Sequence, residues 1–328
     1  MAATSARPSA PPPDWPSAPP SSSPLTPPAA TPATRLAVLA GNPRDARLHV
    51  VDDSGEITPI PLPVAATAWI SADLAGRLLA TTADGRLFLA GPLVGDGEPG
   101  WREIDPTYGG GPPAAPLSFG TLSPDGRTVA ALAADFAAGT AFDLVLVDVG
   151  TGASTTLRVA AWPDGAAPAW LPDRRLLLVA RDPARDLTGL VLVNPAGPDP
   201  ALRFEREAYG IALSADGWVA AIDRADGRLA AGASRFLLGD EAGAGGGNSP
   251  DPSRPDDPPG LLVTAPRGTT PGPFALDPSG ARLAVTWLDD TEGPATVGRY
   301  RVGPDGPVAE APLTVPNGAA TAVLAWLP

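Results

Sequence analysis

The sequence predicts an all-β fold, a β-propeller of four-stranded antiparallel blades. Three observations carry this expectation. Apolar runs are short and return at a regular spacing, many are joined by Asp-Gly or Ser-Gly turns, and the chain's two ends together complete one further copy of the same unit.

The clearest copy is Thr121-Leu122-Ser123-Pro124-Asp125-Gly126-Arg127 followed by Thr128-Val129-Ala130-Ala131-Leu132-Ala133. Asp bonds the turn backbone and Gly supplies a positive φ, so two antiparallel strands join tightly. Further copies are Leu213-Ser214-Ala215-Asp216-Gly217 before Trp218, and Leu276-Asp277-Pro278-Ser279-Gly280 before Arg282-Leu283-Ala284-Val285. Looser ones run from Trp170 to Leu178 and from Ile70 to Leu79. A third strand follows each pair, as in Asp143-Leu144-Val145-Leu146-Val147, and then a weaker fourth. One such sheet cannot bury both faces alone, so the copies are expected to stack radially.

Complete units fall near 67–105, 117–160, 168–206, 209–265 and 273–315. Arg35–Ala40 and Arg47–Val51 read as second and third strands without a first. Ala325-Trp326-Leu327-Pro328 repeats Ala169-Trp170-Leu171-Pro172 and supplies the missing first strand. The expectation is therefore six blades at about 49 residues each, the first closed by the C-terminal strand so that no sheet edge stays open. Residues 239–259, rich in Gly, Pro and Asp, read as a loop. Residues 1–34 hold eleven prolines among Ser, Ala and Thr and read as an extended arm or linker ahead of a 35–328 propeller.

The Ser-Pro-Asp-Gly-Arg turn followed by a small apolar strand resembles the TolB-like, WD40-like propeller repeat family of bacteria, over nearly all of the chain after residue 34. The resemblance implies a propeller. Members include periplasmic interaction proteins and the propeller halves of prolyl-peptidase-like enzymes. This chain departs from the latter in having no Gly-x-Ser-x-Gly nucleophile elbow.

Composition narrows the chemistry. The chain has 328 residues, 44% hydrophobic and 18% charged, enough for a large core. Its 44 prolines and 37 glycines favour turns over long helices. The formal charge of −13, with every basic residue an arginine and no basic run, disfavours nucleic acid as a partner. The absence of cysteine excludes disulfides and thiolate metal sites. No apolar run is long enough to span a bilayer. An Ala-Pro-Ser-Thr arm is the kind of segment that follows a membrane anchor, which favours the cell envelope over the cytoplasm.

His49 is the only histidine, so neither a multi-histidine metal site nor a Ser-His-Asp triad is expected; it reads as a half-exposed strand residue. No catalytic set, metal site or cofactor is expected. Polar residues recur after second strands: Arg44, Asp135, Arg181, Asp182, Asp186, Asp223, Arg224, Asp289 and Asp290. With the strand order above they share one face, a mixed-sign rim suited to a protein segment or small ligand. The leading expectation is a non-catalytic binding or scaffold module using that rim or the central funnel. The alternative is a hydrolase or lyase working with rim carboxylates, calcium-assisted or not. Trp69, Trp170, Trp287 and Trp326 read as wedges between blades, with lining of the central channel as the alternative, and Tyr108 to Gly111 as a flexible interblade loop.

Overall fold

The structure is a computed structural model of the chain. It describes residues 35–41, 44–73, 75–93, 99–109, 111–113, 115–134, 141–159, 161–163, 167–171, 174–182, 187–195, 208–213, 218–223, 229–233, 261–263, 265–277, 279–289, 293–303, 306–316, 319 and 322–327. The arm and the 239–259 segment lie outside these.

The chain opens with β1 (Arg35–Ala40), β2 (Arg47–Val51) and β3 (Ile57–Ile60). The next sheet is β4 (Thr67–Ala72), β5 (Arg77–Thr82), β6 (Leu87–Pro92) and β7 (Arg102–Ile104), in that order. Then come β8 (Thr107–Tyr108), β9 (Leu117–Leu122), β10 (Thr128–Ala133), β11 (Phe142–Asp148) and β12 (Ala153–Val159). These form a sheet ordered β8-β12-β11-β10-β9. The fourth group is β13 (Trp162–Pro163), β14 (Ala169–Trp170), β15 (Leu176–Asp182) and β16 (Leu187–Val193). The fifth is β17 (Ala208–Leu213), β18 (Trp218–Asp223), β19 (Leu229–Ala233) and β20 (Leu261–Val263), in order. The last comprises β21 (Thr269–Leu276), β22 (Arg282–Asp289), β23 (Thr296–Gly303), β24 (Gly306–Ala309) and β25 (Leu313–Thr314), with β25 pairing β23. The C-terminal β26 (Ala322–Leu327) pairs antiparallel with β1, from Arg35 opposite Leu327 to Ala40 opposite Ala322, so its sheet is ordered β26-β1-β2-β3.

Innermost strands of neighbouring sheets lie side by side: β26 by β4, β4 by β9, β9 by β14, β14 by β17, β17 by β21, and β21 by β26. Sheets stacked radially in this way form a β-propeller. Because each second strand is sandwiched between neighbouring sheets, it is apolar on both faces rather than alternating. β5 and β10 are buried from their second residue onward, while the outer β12 alternates towards solvent. Small Ala side chains in Val129-Ala130-Ala131-Leu132-Ala133 let adjacent sheets approach closely. The core is a series of seams, such as Leu79, Leu87, Leu122 and Val129 in one and Phe142, Leu144, Leu176 and Val191 in the next.

The first-to-second-strand turn recurs with one geometry. Gly126 N donates to Ser123 O at 2.7 Å, and the equivalent bonds run from Gly76 to Asp73, Arg174 to Leu171 and Gly280 to Asp277. The last turn residue sits at positive φ in all four copies, between +63° and +75°. Three are glycines, and Arg174 holds the same strained conformation without that freedom.

Three expectations change. Tyr108 is not part of a loop: with Thr107 it forms β8, a fifth strand parallel to β12, and it packs on the core. The Gly-rich stretch after Tyr108 gave no strand signal, and the pairing is supplied by the exposed edge of β12. In the fourth group the inner strand is split, with β13 and β14 each pairing a different part of β15. Prolines at 163 and 168 flank this gap and remove backbone donors a continuous strand would use. His49 is buried rather than half-exposed, at 9% accessibility, because its sheet is covered on both faces.

Candidate functional site

The inner strands surround a central channel of about 180 Å³, whose described lining comes from β4, β9, β17, β21 and β26 and from β14 with the residues just before it. Trp69, Trp170, Phe274 and Trp326 are its large side chains, with Ile70, Leu122, Ile211 and Leu324 filling in between them. Inner strands do not run straight here. The pairing register shifts in β4 between Thr67 and Trp69, in β17 between Tyr209 and Ile211, and in β21 between Pro271 and Phe274. In β9 the same irregularity falls opposite Ala130 and Leu132. A bulge re-aims the side chains around it. In β9 it leaves Phe119 at φ +53° and sets its ring edge-on to Trp69, with centroids 5.1 Å apart.

Polar groups stitch the wall between sheets. Trp170 Nε1 donates to Thr121 O at 3.3 Å and Trp326 Nε1 to Ala275 O at 3.0 Å, each reaching the preceding inner strand. Ser71 Oγ donates to Gly120 O, and Gly120 N to Thr81 Oγ1. A Cβ at Gly120 would stand 2.6 Å from that hydroxyl, so the close approach requires glycine. Two buried polar atoms of lining residues, Trp69 Nε1 and Thr121 Oγ1, have no protein partner.

Among the described lining residues the one ionisable side chain is Asp73. Its carboxylate is fully covered and saturated. Oδ1 accepts from Ala75 N and Arg77 N, and Oδ2 accepts from Arg77 Nε at 2.7 Å and lies 2.6 Å from Nη2. Around this turn face, ion pairs run from sheet to sheet. Arg77 Nη2 donates to Asp125 O at 3.4 Å, and Arg174 Nη2 pairs with Asp125 Oδ2 at 3.0 Å. Arg282 pairs with Asp53 of the β2–β3 turn and lies over the Trp326 ring, 5.9 Å from its centroid. The strained Arg174 thus uses a glycine position to reach the neighbouring turn. Burial raises the Asp125 carboxyl, but the Ser123 hydroxyl, the Arg127 amide and nearby arginines outweigh it, and the net shift is downward.

The sequence also proposes a rim of nine polar residues. Arg44 is exposed in the β1–β2 turn; Arg181 is exposed near the end of β15; Asp289 ends β22 and is exposed. Asp182 and Asp223 are the last residues of β15 and β18. Asp135, Asp186, Arg224 and Asp290 lie outside the described residues. The structure thus has Arg181, Asp182, Asp223 and Asp289 at or next to the ends of β15, β18 and β22, and Arg44 in the turn after β1. It adds what the sequence reading missed, the ion-pair lattice on the turn face. The signal for that lattice was present in the recurrence of Asp or Ser at the turn's first position with Arg just after it.

His49 gives the one near-neutral titration in the described body. Burial, and secondarily the charge of Arg47, push its pKa below 6.5. Its proton therefore binds the unfolded chain better, and stability present above pH 6.5 is lost as pH falls through that value towards the folded pKa. Urea midpoints of the wild-type chain should decline between pH 7 and 5, and those of His49→Gln should be flat there. A parallel decline in the variant would assign the effect elsewhere. The lowered carboxyls of Asp52, Asp84, Asp125 and Asp148 act in a separate window, below pH 4.

Comparison with known proteins places the architecture. No family model and no curated protein matches the chain. Among solved structures it is similar to TolB from Acinetobacter baumannii, with a TM-score of 0.60 at 15% identity over 90% of this chain and 67% of that one. It is also similar to a TolB-type protein from Agrobacterium tumefaciens, with a TM-score of 0.50 at 14% identity over 91% and 99% of the two chains. The class is thus a β-propeller, and the propellers it resembles are TolB-like. At these identities the likeness concerns the fold.

Proposed function

We propose that residues 35–328 form one six-bladed propeller, closed by β26 on β1, that acts as a non-catalytic binding module for a protein segment or small ligand. The observation that carries this reading is the channel. Its wall is aromatic and apolar, and its one described carboxylate is locked in an ion pair, which suits holding a ligand better than acid–base chemistry. Support for six blades comes from the cycle of neighbouring inner strands that returns from β21 through β26 to β4. The rim of Arg44, Arg181, Asp182, Asp223 and Asp289, with Asp135, Asp186, Arg224 and Asp290, is the second contact surface in this reading. Residues 1–34 serve as the tether, with the body at the cell envelope.

The test is affinity capture from native extract with the full chain and with a variant in which Arg181, Asp182, Asp223 and Asp289 are charge-reversed. One partner enriched by the wild type and lost by the variant supports the binding reading and locates the rim. Turnover of a model glycoside or ester by the wild type, abolished in the same variant, would replace it with an enzymatic one.

A further inference from the structure

We infer that the central channel selects an uncharged, flat apolar group of benzene-to-indole size; this rests on the binding reading above and names the chemistry of its occupant. Three features of the wall lead there. The cavity of about 180 Å³ matches a single ring; an apolar cavity of roughly 150 Å³ takes up benzene. Trp69, Trp170 and Phe274 line it with aromatic side chains, joined by the small part of Trp326 not buried in its seam, and aromatic walls hold a ring at low entropic cost.

Charge completes the argument. A charged occupant must shed water, and it is tolerated only where the wall offers a counter-charge or several hydrogen bonds. Asp73 is the only ionisable residue among the described lining, its side chain is 0% exposed, and Arg77 already neutralises it. Two of the three indole N–H groups, those of Trp170 and Trp326, are engaged with backbone carbonyls. Among the described lining residues no uncompensated charge is left to balance a carboxylate or an ammonium, and the unengaged Trp69 N–H and Thr121 hydroxyl are single neutral groups that suit an uncharged occupant.

The ring can come from a free small molecule or from an aromatic side chain of a bound protein segment. Ligand-observed NMR on the full chain, with toluene, benzamide, benzoate and benzylamine as probes, tests the shared chemistry. The expected result is binding of the two neutral rings with a preference of at least about tenfold over the charged ones. Ala169→Phe, which fills the channel from β14, should abolish the signal; Ala169→Val, a smaller intrusion, should weaken it, and urea midpoints show which variants are folded. Equal binding of benzoate or benzylamine, no binding of any probe, or unchanged binding by a folded Ala169→Phe variant overturns the inference. A partner captured from extract and released by benzamide identifies the ring as a protein side chain. A captured partner lost on rim charge reversal but indifferent to Ala169→Phe leaves the binding module standing and removes the channel as its site.

Discussion

Trp326→Ala should lower the urea unfolding free energy by about 3–5 kcal/mol, the largest single-residue effect expected in the chain. The indole is 4% exposed and lies in the seam with Ala275, Ala284 and Leu324, so truncation leaves a large cavity that neighbouring strands cannot collapse to fill. It also leaves Ala275 O without its donor and removes the ring beneath Arg282, which also pairs with Asp53 on the β2–β3 turn. Trp326→Phe separates the contributions: it keeps most of the apolar area and loses the N–H bond, worth about 1 kcal/mol. A loss below 1 kcal/mol for the alanine variant would show that β26 does not carry the closing seam. Trp101, at the periphery and only partly buried, is the internal control.

Arg77→Ala should cost about 2–4 kcal/mol by the same measurement. The mechanism is an orphaned charge: the Asp73 carboxylate has no exposure, and without the guanidinium only the Ala75 and Arg77 amides remain to hold it. The expected figure is below that of a fully buried pair because the Arg77 side chain is 27% exposed, so water reaches one end of the pair. Asp73→Asn/Arg77→Ala should recover part of the loss, since the buried charge is then gone. If Arg77→Ala unfolds like the wild type, the turn-face lattice is surface decoration. Gly126 belongs to the same unit: a Cβ there would fall 1.2 Å from Arg77 Nη2 and sit at φ +63°. Glycine at this turn therefore serves the neighbouring sheet's ion pair as well as its own hairpin.

Much of the fold was legible because its signals are local. A Ser-Pro-Asp-Gly turn closes a hairpin through bonds between residues at most five apart, as Ser123, Asp125 and Thr128 do, so the four-residue pattern carries its own geometry. Second strands could be recognised because burial on both faces leaves mostly apolar residues, with a few threonines such as Thr81 and Thr286. Where the signal was not local, reading failed. Thr107 and Tyr108 become a strand only because β12 offers an edge, and Gly109 beside them argues for a loop. Proline placement around Trp162 and Trp170 hides the fact that two short pieces share one partner strand. His49 is a polar residue between Leu48 and Val50, and its burial depends on the packing around its sheet rather than on its own strand.

The candidate site divides in the same way. Strand order led to the proposal that polar residues gather after second strands; of these, Arg181 and Asp289 stand at or next to the ends of β15 and β22, and Arg44 in the turn after β1. That Trp69 and Trp170 line a channel while Trp287 is buried in a seam did not follow, because all three sit in similar apolar strands. The direction of each ring depends on the bulges in the inner strands and on the spacing of neighbouring sheets.

By itself the sequence determined the class of fold, the position of its hairpins and the residues free to face water, because turn chemistry and apolar runs act over a few residues. Only the tertiary structure decided which carboxylate is neutralised and which aromatics reach the channel. Those outcomes arise between sheets about 50 residues apart, as in the Trp170 to Thr121 and Trp326 to Ala275 bonds, and no short stretch of chain encodes them.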